Sequence, residues 1–229
     1  MTTEHKQAST LTVERILAAA LEIFCEKGYD GASIREIMTR AKVTQPVIYY
    51  HFGSKRELYK AVLEQCMDMF FDSLQEALRD EDSPLNRLRI IVRMHFQFQR
   101  IHRSRSKFIY SAFFGLPRVV ESKRILERGF HIMREVCHEI ECLQKDGLIA
   151  EGNSEMMAVS LMGAFNMHKM RNLLDDDFPL TDEHADLILI NFLNGVSSSD
   201  EMNTTNNLAH LLSKENENDR AVGPYDLND

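Results

Sequence analysis

The sequence predicts an all-α protein of about nine helices. Apolar residues recur at the three- and four-residue spacing of a buried helix face through most of the 229-residue chain, and no stretch shows the alternation of β-branched residues that is typical of strands. No apolar run reaches the roughly 18 residues that a membrane span needs, and the N-terminus lacks the apolar core of a secretory signal. We therefore expect a cytoplasmic protein without a membrane partner.

Helix boundaries follow from breakers and capping residues. The first helix is expected over residues 13–27, because Gly28 follows it as a stop. Two capping boxes, in which a serine and a glutamate three residues later satisfy free backbone N–H groups, begin at Ser33 and Ser54 and predict helices over residues 33–40 and 54–79. Segments rich in proline, glycine and aspartate delimit the five remaining long helices, which are expected over residues 85–103, 106–114, 119–145, 155–174 and 182–194.

The end of the chain differs in composition from the rest. From residue 197 onward Ser, Asn, Thr, Asp and Glu dominate, and large apolar residues are few. Such a segment cannot bury enough apolar surface to offset the entropy lost on ordering. Residues 197–229 are therefore predicted to form a disordered acidic tail.

Residues 33–52 predict two short helices joined by a tight turn. The first ends near Arg40, and Thr44 caps a second helix over residues 45–52, with Pro46 in its first turn, where a missing N–H matters little. The predicted buried set is Ile34, Ile37, Met38, Val43, Ile48 and Phe52, and the predicted outward set is Gln45, Pro46, Tyr49 and His51. This pattern is typical of a DNA-reading helix-turn-helix, although many helix pairs without that function look similar.

Charge is distributed unevenly along the chain. The whole chain has a net charge of −8, yet residues 31–60 carry a net charge of +4 and residues 61–229 a net charge of −10. A polyanion would attract the basic segment while mutual repulsion keeps the rest in solution. The alternative is a chance fluctuation in a short window, and charge alone does not decide between the two.

The outward side chains have the chemistry that double-stranded DNA requires. Glutamine can pair with an adenine edge through two hydrogen bonds, and an arginine such as Arg35 can do so with a guanine edge. Tyrosine, threonine and lysine side chains can hold phosphates. An operator duplex is therefore the expected partner of this segment.

Residues 13–63 closely resemble the TetR family of bacterial transcriptional regulators. The resemblance rests on the runs ILAAALEIF (16–24), GY (28–29), SIREI (33–37) and above all VIYYHF (47–52), followed by SK (54–55) and EL (57–58). The family usually has glycine where this chain has Lys42, so the turn must adopt its backbone conformation with a side chain present, and the extra lysine can reach a phosphate. The rest of the chain is similar to the family only in the order of its helices.

The resemblance implies DNA-contacting roles for Arg35, Gln45, Pro46, Tyr49 and His51. Tyr50 either touches a phosphate or packs against the protein. With the residues expected to hold phosphates, the predicted DNA-binding set is Ser33, Arg35, Lys42, Thr44, Gln45, Pro46, Tyr49, Tyr50, His51 and Lys55.

The resemblance also implies two domains and a homodimer. A helix-turn-helix DNA-binding domain is expected over residues 10–70, and a helical ligand-binding and dimerisation domain over residues 71–196. In the family the last two helices form the dimer interface, here the predicted helices 155–174 and 182–194. Their candidate interface residues are Met157, Leu161, Ala164, Phe165, His168, Leu187, Ile188, Asn191 and Phe192, with Gly163 allowing close approach. The alternative is that these faces form the core of a single chain.

The middle of the chain is rich in aromatic residues and methionine. In the family this region encloses a pocket whose ligand changes the spacing of the two DNA-reading helices. We therefore expect a small, largely apolar effector of unknown identity that releases a repressor from a pseudo-palindromic operator. Plain core packing explains these residues equally well. The candidate ligand contacts are Phe70, His95, Phe98, His102, Phe113, Phe130 and Asn166.

Catalysis, cofactors and metals find little support. The chain has no glycine-rich phosphate loop, GxSxG or HExxH motif, so we expect no enzyme activity and no cofactor. The four cysteines form no CxxC pair, which indicates a reducing compartment. One side of a predicted helix carries His131, Glu135, His138 and Cys142, but a straight helix rarely presents more than two or three ligands to one ion. A solvated surface is the preferred interpretation, and no metal is expected.

Two other functions stay open on the sequence alone. One is a DNA-binding protein of the same fold that does not respond to a ligand. The other is a helical small-molecule binding module that no longer reads DNA. The basic segment and the intact tyrosine–histidine run argue against the second.

Overall fold

The computed structural model describes residues 3–114 and 123–196, with side chains over residues 7–114 and 127–196. Within these ranges the chain is all-α, as predicted, with nine helices and no strand. The helices are α1 (Thr3–Gly31), α2 (Ile34–Ala41), α3 (Gln45–Phe52), α4 (Lys55–Leu78), α5 (Pro84–Ile101), α6 (Arg103–Phe114), α7 (Lys123–Lys145), α8 (Ser154–Leu174) and α9 (Asp182–Val196). The start predicted for α7 at residue 119 and the predicted acidic tail lie outside the described residues.

Helix α1 begins ten residues before its predicted start. Residues 7–11 are exposed, so this part of the helix has no buried face and leaves no apolar periodicity in the sequence. The predicted stop is present as a kink, because Gly28 adopts φ 69° and ψ 178° and interrupts the helical backbone before one last turn.

The chain divides into two compact units. The first consists of Met1–Phe70 and His102–Leu126, so it contains α1, α2, α3, most of α4 and α6. This differs from the predicted division, which placed α6 with the ligand-binding region. The physical reason is the side chain of Phe108 on α6, which is almost fully buried between Phe24 and Tyr59, with ring centroids 6.1 and 4.8 Å away. Phe108, in the aromatic-rich middle of the chain, is therefore part of the core of the first unit.

The second unit is built around α5 and contains α8, α9 and most of α7. Nearly every side of α5 is buried, from Leu85 to Gln99. Five of its residues, Leu88, Ile91, Val92, Met94 and Phe96, have no exposed surface. A helix that is buried all round acts as the central element of a bundle.

A buried ionic cluster joins α5 to α9. Asp186 accepts hydrogen bonds from Arg89 at 3.1 and 3.2 Å and from Arg93 at 2.8 and 2.6 Å. Burial by itself would raise the pKa of Asp186, but hydrogen bonds from Arg93 and Arg89 outweigh it and hold that pKa below its ordinary value. A second pair, Arg87 with Glu139 at 2.6 Å, joins α5 to α7. Sequence reasoning identified neither cluster.

The exposed face of α8 differs from the predicted one, whereas on α9 the predicted Leu187 and Asn191 are exposed. Leu161, Phe165 and Ile188, which the sequence assigned to a dimer interface, are buried in the core of the second unit. The exposed large apolar residues on these helices are Met156, Val159, Met167, Leu174 and Leu187. Helix α8 is apolar on both sides, so periodicity could not show which side faces the core.

Candidate DNA-binding surface

The start of α2 is fixed by the predicted capping box. The Ser33 hydroxyl accepts from the Glu36 backbone N–H at 3.2 Å, and the Glu36 carboxylate accepts from the Ser33 N–H at 3.1 Å. The same hydroxyl donates to Glu36 at 2.7 Å. Hydrogen bonds from Lys27 of α1 and from Ser33 lower the pKa of Glu36 to about 2. Ser33 thus already serves the protein's own structure, and its DNA contact stays a prediction.

The turn between α2 and α3 takes a left-handed backbone without glycine. Lys42 adopts φ 53° and ψ 46°, and its N–H donates to the Met38 and Thr39 carbonyls. Among the described residues it alone has a positive φ without being glycine. A side chain in this conformation costs about 1 kcal/mol relative to glycine. The side chain of Lys42 is exposed.

Helix α3 is anchored by one residue and exposes most of the others. Ile48 is 1% exposed, whereas Gln45, Pro46, Tyr49 and Tyr50 are exposed. Thr44 occupies the N-cap position, but its side chain makes no capping hydrogen bond. The first turn of the helix and the face that carries Tyr49 are therefore open to a partner. These are the positions that contact base edges in a helix-turn-helix.

Tyr50 and His51, both predicted as DNA contacts, differ in exposure, and His51 does not face outward as fully as predicted. Tyr50 is 83% exposed, so it does not pack into the core. His51 is partly buried and lies edge-on to Tyr50, with ring centroids 5.0 Å apart. Of the two roles considered for Tyr50, its exposure favours contact with a partner.

The basic side chains of residues 31–60 separate into two groups. Arg40 binds Glu22 and Glu26 at 3.1 and 2.8 Å, and Lys60 binds Glu57 at 2.9 Å, so these charges are balanced within the unit. Arg35 and Lys42 are exposed. Lys55 lies over the Tyr29 ring at 4.6 Å and donates to the Asp30 carbonyl at 3.4 Å, which fixes its position beside the motif. None of the balanced charges belongs to the predicted DNA-binding set.

The predicted ligand contacts are distributed over both units. Three of them, Phe70, His102 and Phe113, belong to the first unit, and the other four, His95, Phe98, Phe130 and Asn166, belong to the second. Phe130 is 58% exposed, whereas His95 and Phe98 are buried. A cleft of about 440 Å³ between α7 and the start of α8 contains none of the seven. Their role in ligand binding stays a prediction.

The histidine, carboxylate and thiol groups on α7 form two separate contacts. His131 Nε2 lies 3.9 Å from Glu135, and Cys142 Sγ lies 3.8 Å from His138. In the part of the chain that the structure describes, such side chains nowhere gather in a group of three or more able to hold a metal ion. Within residues 3–114 and 123–196, no helix combines the length and the apolar character that crossing a bilayer needs.

Together the fold and the exposed surface define a helix-turn-helix DNA-binding protein. Residues 16–62 match the family described as bacterial regulatory proteins, tetR family. The transcriptional activator FasR of Mycolicibacterium smegmatis is 32% identical over 173 residues, which cover 75% of this chain and 76% of FasR. IcaR of Staphylococcus epidermidis, a negative regulator of the biofilm operon icaADBC, is 35% identical over 69 residues, which cover 30% of this chain and 36% of IcaR.

The fold is also similar to that of solved structures. AibR, in complex with isovaleryl coenzyme A and operator DNA, aligns with a TM-score of 0.64 and 23% identity over 78% of this chain and 96% of AibR. The chain belongs to the TetR family of transcriptional regulators. Its relatives are named as regulators and not as enzymes, in agreement with the sequence.

Proposed function

We propose that the protein is a homodimeric repressor that inserts α3 into the major groove at each half of a pseudo-palindromic operator, and that a small effector releases it. The exposed face of α3 carries this proposal: Gln45, Pro46 and Tyr49 are accessible while Ile48 anchors the helix. Gln45 reads base edges, and Tyr49, Thr44 and Lys42 hold the backbone. Since the operator is chromosomal, the cytoplasmic location expected from the sequence is part of the proposal.

Operator binding should depend both on the α3 side chains, Gln45 at the bases and Tyr49 at the backbone, and on the charge of Lys42. With an operator selected by the wild-type protein from random duplexes, Gln45→Ala and Tyr49→Ala should each weaken binding about tenfold or more, measured by fluorescence anisotropy. Lys42→Asn keeps a residue that tolerates the left-handed backbone and removes the charge. This variant should weaken binding to selected and shuffled duplexes alike. It should also reduce by about 1 the slope of the logarithm of the binding constant against the logarithm of the salt concentration.

A matched control is Lys145→Gln, which removes the same charge at an exposed position at the end of α7. Its affinity and salt slope should equal those of the wild type. Unchanged operator affinity in both Gln45→Ala and Tyr49→Ala would show that α3 is not the reading helix. Equal wild-type affinity for selected and shuffled duplexes would contradict the regulator proposal itself.

The proposed dimer interface is the exposed stripe of α8 and α9. Met156, Val159 and Met167 lie at successive spacings of three and eight residues on one side of α8, and the exposed Gly163 lies four residues from both Val159 and Met167. A Cβ built at Gly163 meets nothing within 4 Å, so its own chain leaves the space open. A second copy packed against this stripe would fill it. The predicted helices are thus retained, with a different side turned to the partner.

Substitution of Gly163 should affect association and not folding. Gly163→Gln places a side chain in open space within the monomer and improves helix propensity by roughly 0.5–1 kcal/mol, so helix content by circular dichroism should be retained. The dimer dissociation constant from sedimentation should rise about tenfold or more, because the helices can no longer approach closely. Glu151→Gln, at an exposed position before α8, is the control. An unchanged dissociation constant for Gly163→Gln would exclude this stripe as the interface.

The proposal assigns repression as the direction of control. Among the relatives, FasR is named an activator and IcaR a negative regulator. A constitutive DNA-binding protein of the same fold is the second candidate. Addition of an effector that binds the protein distinguishes them, because only a ligand-released repressor dissociates from its operator.

A further inference from the structure

Lys169 on α8 lies at a core position of the second unit. The buried residues of α8 are Ala158, Leu161 and Phe165, and Lys169 is one helical turn beyond Phe165 on the same side. Its backbone carbonyl accepts from Gln99 of α5 at 2.9 Å, which holds this turn of α8 against the central helix. The residue is partly buried, and burial lowers the pKa of its ammonium to about 8.

The four arginines of α5 all have carboxylate partners. Arg87 pairs with Glu139 at 2.6 Å and Arg93 with Asp186 at 2.6 Å, and the remaining α5 pairs are Arg89 with Asp186 and Arg100 with Asp182, at 3.1 and 2.9 Å. Among the described residues, by contrast, no carboxylate pairs with Lys169. An unpaired ammonium inside a protein is unfavourable, so its presence needs a reason.

A neutral histidine of α5 and an aromatic ring of α8 lie on the side of Lys169 that faces the core. His95 of α5 is buried, its Nδ1 lies 2.9 Å from the Ile91 carbonyl, and its ring lies 4.7 Å from that of Phe165. Burial first, and repulsion from Lys169 second, lower the pKa of His95 to about 3, so this histidine is neutral. A single cation against an apolar, aromatic wall suits a ligand with one anionic end and an apolar body.

We propose that Lys169 binds the anionic end group, a carboxylate or a phosphate ester, of an effector whose apolar body packs in the second unit. The proposal deepens the proposed function, since it assigns a chemical class to the effector. The anion supplies the counter-charge that the described residues do not give Lys169, and it adds a charge-assisted hydrogen bond.

Calorimetric titration of the full-length protein without DNA tests this proposal. The probes are decanoate, decyl phosphate and decan-1-ol, which share an apolar chain and differ in charge and head group. The wild type should bind at least one anion about tenfold or more tightly than the alcohol, because a hydrogen bond between charged groups is lost with the alcohol. The preferred anion shows whether the group is a carboxylate or a phosphate. Equal affinity for all three probes, or binding of none, would overturn the proposal.

Two variants test the role of the lysine itself. Lys169→Met keeps the aliphatic stem without the charge, and it should bind anion and alcohol alike at the wild-type affinity for the alcohol. It should also melt no lower than the wild type, because it removes a charge that burial disfavours. Lys169→Gln is the second variant and should likewise lose the preference for the anion over the alcohol. Lys145→Met, at an exposed site on α7, should keep that preference. A retained preference in Lys169→Met or Lys169→Gln would overturn the proposal.

The outcome is independent of the regulator proposal. Operator binding is measured separately by anisotropy, so a protein that prefers the anion but does not bind DNA would contradict the repressor alone. A protein that binds its operator but shows no preference for the anion would contradict only the role of Lys169.

Discussion

Replacement of Asp186 with alanine should lower the free energy of unfolding by about 3–5 kcal/mol, measured by denaturant titration at fixed protein concentration. Asp186 is 6% exposed and is the shared partner of Arg89 and Arg93. Its removal leaves two guanidinium groups facing each other, one of them on Arg89, which is 4% exposed. The loss is large because a buried charge without its partner keeps the full desolvation penalty.

Asp182 provides the control for this variant. It lies on the same helix and pairs with Arg100 of the same central helix at 2.9 Å, but this pair is solvent-exposed. Asp182→Ala should therefore change the free energy of unfolding by less than about 1 kcal/mol. If the two variants were equally stable, the ionic cluster would not be a determinant of the stability of the second unit.

The stabilisation from Asp186 should depend on pH. Its folded-state pKa is below the ordinary value of 3.8, so its contribution is complete above that value and is lost as the pH falls through the lower folded-state pKa. The difference in unfolding free energy between wild type and Asp186→Ala should be constant from neutral pH to about pH 5 and shrink in stronger acid. A difference that grows on acidification would have the wrong sign for a carboxylate stabilised as an anion.

Phe108→Ala should lower the free energy of unfolding of the first unit by about 3–5 kcal/mol, as expected for deletion of a fully buried phenylalanine side chain. The side chain is 1% exposed and contacts Phe24 of α1 and Tyr59 of α4. The measurement is thermal or denaturant unfolding followed by circular dichroism. Because the motif belongs to the same unit, operator affinity should fall at temperatures where the variant is partly unfolded and recover on cooling.

Phe114 is the matched control, since it is on the same helix but 64% exposed. Phe114→Ala should change the free energy of unfolding by no more than about 0.5 kcal/mol. A small effect of Phe108→Ala, comparable to that control, would show that α6 does not complete the core of the first unit.

The helix-turn-helix was predictable because its signals are local. A serine three residues before a glutamate predicts the start of α2, and the observed bonds between Ser33 and Glu36 confirm the capping box. Residues 45–52 were predicted as one helix and form α3. Ile37 and Ile48 are buried as predicted, and Gln45 and Tyr49 are exposed as predicted. Spacing located both helices and their anchors, but Ile34, Met38, Val43 and Phe52, predicted as buried, are half-buried, since a short exposed motif covers them incompletely.

Features that depend on packing between distant segments were not predictable. Nothing in the sequence around Phe108 shows that α6 packs against α1 and not against its neighbours in the chain. The side of α8 that faces the core was predicted wrongly, because both sides of that helix are apolar. Leu161 and Phe165, predicted at the dimer interface, are buried in the core. The sequence likewise gives no sign that Lys169 is partly buried, since a lysine in a helix is ordinarily a surface residue. In each case the missing information was the identity of the facing helix.

Lys42, in the turn between α2 and α3, is subject to two different requirements. For folding, position 42 favours glycine, which adopts the observed backbone without a steric penalty. Under the proposed function, binding favours a cation at the same place. Under that function, selection for thermal stability would favour glycine at this position and selection for operator affinity would favour lysine. A thermostabilised form of this regulator that carried glycine at position 42 would consequently be expected to dissociate from DNA at lower salt than its parent.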